Sequence, residues 1–150
     1  MNNQQMKFAL DGLNGIANFA SLNFGAAGTD RPGRLKSWLH NVRSLCESAH
    51  PELAKMWDWC LSRANDVHSI YLVTPSMGRN HLSITDVIPQ KWSFLEGRLR
   101  PKVIASVPGF VKEWVEQRAQ QGNQEQLQHV LYHLLKLFHP GDANDRMNLM

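Results

Sequence analysis

Leu53-Ala-Lys-Met-Trp-Asp-Trp-Cys-Leu-Ser-Arg-Ala-Asn-Asp-Val-His-Ser-Ile-Tyr-Leu72 is the stretch that decides the fold. Its apolar side chains, Leu53, Met56, Trp57, Cys60, Leu61, Ala64, Val67, Tyr71 and Leu72, recur in steps of three and four. On a helix they form one continuous stripe over about five turns. A stripe of that length needs an apolar partner, so it predicts an all-α protein built by laying helices side by side.

The same spacing recurs on both sides of it. Upstream, Leu35, Trp38, Leu39, Val42, Leu45 and Cys46 share a face that ends near Ala49. Thr29 or Asp30 is the candidate cap of that helix, and Pro32 fits its first turn, where no intrahelical donor is lost. His50-Pro51 then leaves almost no linker, which predicts antiparallel neighbours or a sharp corner. Downstream, Leu127, Val130, Leu131, Leu134, Leu135 and Phe138 predict a final helix stopped by His139-Pro-Gly141. A shorter one runs from Pro108 through Phe110, Val111, Trp114 and Val115 to about Gln121.

Three regions read less simply. The first apolar series, Met6, Leu10, Leu13, Ile16, Ala17 and Ala20, predicts a helix over 3–22. Gly12 and Gly15 interrupt it, each costing roughly 1 kcal/mol against Ala unless a neighbour packs close. Residues 69–88 fit a continued helix followed by a second one begun at Ser83-Ile-Thr-Asp86, which is the preferred reading. A small hairpin around Pro75–Asn80 is the alternative. Trp92, Leu95 and Leu99 then share a side, and the β-branched run 103–107 between Pro101 and Pro108 fits helix, strand or loop. The pattern as a whole predicts one helical domain over 1–150, of about five to six helices, with a frayed tail at 142–150.

Composition agrees and excludes several classes. With 150 residues, 43% apolar and 19% charged, the chain is long enough to bury roughly 70% of its unfolded surface in one core. Its two cysteines, Cys46 and Cys60, fall on buried stripes, which predicts free thiols instead of a disulfide framework. The start of the chain has no signal-peptide pattern, and no stretch approaches the ~18 apolar residues of a membrane span. A reducing, cytoplasmic setting without membrane contact is expected.

No catalytic signature is found: no nucleophile elbow, phosphate-binding loop or dinucleotide fingerprint. Nothing in the sequence calls for a cofactor, and a non-catalytic role is expected. An enzyme would have to use His81 or His129 as acid or base, with no partner indicated. His129 and His133 sit four apart on the last helix, as two metal ligands would. They lack the glutamate of a zinc peptidase and a third ligand, and they oppose the Leu127/Leu131/Leu134/Phe138 stripe, so they are expected to face water and hold no metal. Glu113 and Glu116 are likewise expected to face water.

The informative features are surfaces. The net charge is +3, with a pI near 9.1, a mild excess whose meaning depends on clustering. Arg31, Arg34, Lys36, His40 and Arg43 follow the second helix beside its apolar face, with Arg31 and Arg34 at its N-terminus, against the helix dipole. Arg98, Arg100 and Lys102 form the densest basic run, at a predicted helix end. Trp59 stands off the long stripe between Lys55 and Arg63, and Arg79 lies in a loop.

Two partner classes follow. A small helical subunit of a nucleoprotein assembly would touch RNA or DNA backbone, without reading sequence, through Arg31, Arg34, Lys36, Arg43, Arg98, Arg100 and Lys102. A protein-binding adaptor or inhibitor, such as a viral or mobile-element factor acting on a host complex, would use Lys55, Trp59 and Arg63. Self-association into a homo-oligomer is a further option. Convergence of the basic groups favours the first class; scatter favours the second.

Overall fold

A computed structural model describes residues 1–141 of the chain; the tail at 142–150 lies outside the described residues. Its architecture is all-helical: α1 (Asn3–Asn14), α2 (Arg31–Ala49), α3 (Pro51–Val73), α4 (Ser93–Ser106), α5 (Gly109–Gln120) and α6 (Leu127–Phe138), with short 3₁₀ turns at Ser76–His81 and Gln90–Trp92. Among the described residues there is no strand, so the hairpin alternative does not form.

The long stripe places α3 at the centre. It packs most extensively against α6 and α2 and also touches α1. Trp57, Met56, Leu53, Cys60 and Ala64 are fully buried there. Buried side chains from all six helices join one continuous apolar cluster. α2 and α3 are antiparallel across the one-residue junction expected from His50-Pro51. The His50 Nδ1 accepts the Glu52 N–H at 3.1 Å and so caps α3, while the His50 N–H closes α2 on the Cys46 carbonyl. At the other end of α2 the Asp30 carboxylate accepts the Gly33 N–H at 3.0 Å, and Pro32 occupies the first turn.

The first helix is shorter than the sequence predicts. α1 stops at Asn14, and 16–24 is irregular but anchored: the Leu22 N–H donates to the Ser106 carbonyl, the Trp38 indole donates to the Ala20 carbonyl at 3.0 Å, and Phe19 and Leu22 are buried. Long-range bonds to α4 and α2 outcompete helix continuation. Gly12 has the close packing that justifies a glycine, since a Cβ there would collide with the Ala49 carbonyl at the end of α2. Gly97, on α4, faces open space. The two alanine variants are therefore expected to differ in sign. Gly12→Ala should lose about 1–3 kcal/mol by overpacking, whereas Gly97→Ala should gain up to about 1 kcal/mol from helix propensity. Urea unfolding checks both, and a shift of the same sign in the two variants would contradict the α1–α2 contact.

The preferred helix from Ser83 is corrected: 82–89 forms neither helix nor strand. Its backbone is served by side chains of α6 and the residue before it. Gln126 accepts the Ile88 N–H at 2.9 Å, Gln128 donates to the Asp86 carbonyl at 3.0 Å, and the His129 Nε2 meets the Ile84 carbonyl at 3.1 Å. A segment so satisfied has no need of its own ladder. The undecided run 103–107 is the end of α4 through Ser106, which continues past Pro101; the bond that proline deletes would have gone to Gly97. Arg98, Arg100 and Lys102 therefore sit within a helix and not at its end.

Candidate functional site

Most of the basic residues singled out by the sequence are engaged by the protein's own backbone and carboxylates. The Arg31 guanidinium reaches the Phe24 and Gly25 carbonyls and lies 3.7 Å from the Phe24 ring centroid, which offsets its position against the α2 dipole. Arg43 makes a two-pronged contact with Asp58, at 2.7 and 3.0 Å, and pairs with Glu47 at 2.6 Å. Arg100 donates to the Glu125 carbonyl at 2.6 Å and pairs with buried Glu96 at 3.4 Å. Lys102 reaches the Ile16 carbonyl at 3.3 Å, tying α4 to the end of α1.

Arg34, Lys36 and Arg98 remain exposed, with Arg98 set 5.1 Å from the Phe94 ring centroid. These three do not form one strip. Arg34 and Lys36 belong to α2 and Arg98 to α4, and α1 packs against both helices. Arg79, placed in a loop by the sequence, is engaged as well. The 3₁₀ turn folds it back onto the Thr74 and Pro140 carbonyls and over the Tyr71 ring at 4.0 Å.

The Trp59 group differs from expectation as well. Trp59 is half-buried and packed against the core instead of standing off it, because α3 is contacted by α1, α2 and α6 and its buried surface is wider than one stripe. Arg63 lies 5.8 Å from the Trp59 centroid and 3.5 Å from Asp66, and Lys55 pairs with Glu52 at 3.3 Å. Glu52 also accepts the Trp92 indole N–H at 2.9 Å, and that bond holds its carboxyl below the usual range.

The two cysteines are buried and free, and burial pushes the Cys46 thiol up to about 12, far from a reactive thiolate. Glu113 and Glu116 are exposed, as the spacing predicts. The histidine pair is not. His129 accepts the Gln126 N–H at 3.0 Å, and His133 stacks on Trp114 with centroids 3.8 Å apart and planes within 4°. Both are half-buried because α5 and the 82–88 segment cover the face of α6 that its own apolar stripe leaves open. Among the described residues no three His, Cys, Asp or Glu side chains cluster as metal ligands would, and no helix is long and apolar enough to cross a membrane.

What the fold does assemble is a groove of about 600 Å³ between α2 and α3, reaching the end of α6. Leu35, Leu39, Trp57, Leu61 and Leu135 give it apolar walls. Lys36, His40 and Arg43 stand along its α2 side, and no carboxylate lines it. Lys36 and His40 are exposed and make no hydrogen bond or ion pair within the described residues. Trp57 adds a second polar element: its indole N–H is buried and has no acceptor among those residues. The sequence marked the basic strip and the apolar stripe separately. That they border one trough follows from the antiparallel α2–α3 pairing, of which only the short junction is a sequence signal.

No protein-family model matches the chain, and comparison with curated proteins and with solved structures finds no significant match for it.

Proposed function

We propose that the chain is a non-catalytic protein-binding module whose α2–α3 groove takes an amphipathic, acidic helix of a partner protein. The observation that carries this reading is the pairing of an apolar trough with an α2 edge on which Lys36 and His40 stand unpaired, with no carboxylate in the lining. Apolar anchors at helical spacing fit such a trough, and acidic residues beside them meet Lys36 and His40, whose charge or donors the fold has not used. A polyanion contact, by comparison, is left with Arg34 and Lys36 on α2 and Arg98 on α4, since Arg31, Arg43, Arg100 and Lys102 are held by internal partners.

Fluorescence anisotropy with three labelled probes tests the reading: two designed amphipathic helical peptides with the same apolar face and either Glu or Lys on the polar face, and a single-stranded RNA oligomer. The Glu peptide is expected to bind about tenfold or more tightly than the Lys peptide. Leu61→Lys should abolish that binding, and Lys36→Glu should weaken it. Failure of the Glu peptide to bind overturns the reading. RNA retention that falls steeply with salt and is lost in Arg98→Glu would replace it with the nucleoprotein one.

A further inference from the structure

A second cavity, of about 590 Å³, lies on the opposite chemical footing from the groove: its wall is mainly polar. α6 supplies His129, Tyr132, His133 and Lys136, which recur at i, i+3, i+4 and i+7 and so share one face of the helix. α5 contributes Trp114 and Arg118, and the turn 122–125 and residues 80–84 close the rest.

Two of these side chains carry buried polar atoms with no partner among the described residues, the Tyr132 hydroxyl and the His133 Nδ1. Tyr132 is only 5% exposed. Natural folds rarely bury hydrogen-bonding groups unused, and two in the wall of one cavity indicate a partner supplied from outside the chain. Lys136 is equally unspent. Its ammonium lies 4.5 Å from the Tyr132 ring centroid and has no ion-paired carboxylate within those residues. Burial and the charge of Arg118 hold it below the ordinary lysine range, against the pull of Glu125. Arg118 itself is committed to Glu125 at 2.9 Å. The residues that line it thus include a lysine cation, a phenol whose O–H has no internal acceptor and, in the Nδ1–H tautomer, an imidazole donor.

We propose that this α5–α6 cavity binds a small organic oxyanion, a carboxylate or a phosphate, held by Lys136, the Tyr132 hydroxyl and the His133 Nδ1–H. Donors of this kind, one of them charged, complement an oxyanion better than a neutral ligand. The volume exceeds what a bare ion fills and falls within the range of small-molecule sites. His133 is fixed for the task by its stack on Trp114, and His129 by its bonds to Gln126 and Ile84, so the face is preorganised.

Titration calorimetry of the full chain with inorganic phosphate, acetate, phenyl phosphate and benzoate tests this. Saturable binding is expected, with the phenyl compounds tighter than the bare ions. Lys136→Met should weaken it by about tenfold or more. Tyr132→Phe, which keeps the ring and its packing, should weaken it several-fold, while Lys91→Met, at a residue that does not line the cavity, should leave it unchanged. Tighter phosphoryl probes assign a phosphate ester and tighter carboxyl probes a carboxylate; either result supports the oxyanion site. Absence of saturable binding by all four compounds, or equal binding in Lys136→Met and Tyr132→Phe, overturns it.

Discussion

Trp57→Ala is expected to lower the unfolding free energy by about 3–5 kcal/mol, the cost of removing a large buried aromatic whose neighbours cannot collapse into the space. Trp57 is completely buried and meets Trp38 edge-on with centroids 6.4 Å apart, at the contact between α2 and α3. For a chain of this size that loss corresponds to a fall in Tm of about 6–20 °C. Trp59→Ala, at a half-buried position two residues on, should cost clearly less. Urea or thermal unfolding of the two variants makes the comparison directly. A loss under about 1 kcal/mol for Trp57→Ala would show that the α2–α3 seam is not part of the core.

The second large effect is on pH. Burial and the neighbouring Lys136 charge push His133 down to about 4 from an ordinary histidine value of 6.5. The unfolded chain therefore binds a proton in this window that the folded chain refuses. Stability rises with pH between about 4 and 6.5 and is lost on acidification across the same interval. The full shift corresponds to about 3.4 kcal/mol, and discounting it for the partial solvent exposure of the ring leaves a part due to His133 on the order of 2–3 kcal/mol. His68, lowered by burial, adds in the same direction, and Glu96, raised by burial, acts in the opposite one at the acidic end. His133→Phe keeps a ring against Trp114 and removes the titration. Urea unfolding at neutral and acidic pH should show a smaller acid loss in the variant by about that amount. An unchanged acid loss would contradict the buried, neutral state of His133.

What the sequence makes legible is what depends on local order. The period of three and four located α2, α3, α5 and α6, and the Thr29/Asp30 cap candidates with Pro32 and the His50-Pro51 junction located two helix starts. The segment 82–89 escaped because its backbone bonds run to side chains about 40 residues away, which no local pattern records. Gln126, Gln128 and His129 at the start of the last helix are the signal that was available. α1 ended early for the same reason, since Leu22 and Ala20 are bound by Ser106 and Trp38.

The site follows this division. Basic residues are visible in a sequence; whether they are spent is not. Lys102 meets the Ile16 carbonyl across 86 residues and Arg100 the Glu125 carbonyl across 25, and both contacts exist only in the fold. The polar face His129/Tyr132/His133/Lys136 was equally readable as a period. Reading His129 and His133 as solvent-facing assumed that nothing packs opposite the apolar stripe of α6, and α5 does so through Trp114.

The groove assignment is tested most directly by amide NMR shift mapping of the full chain during titration with the acidic amphipathic peptide. Saturable shifts concentrated on residues 32–43 of α2 and 57–65 of α3, and absent in Leu61→Lys, are the predicted result. Shifts that cluster instead around Phe94 and Arg98 on α4, or no saturable shift at all, would contradict it.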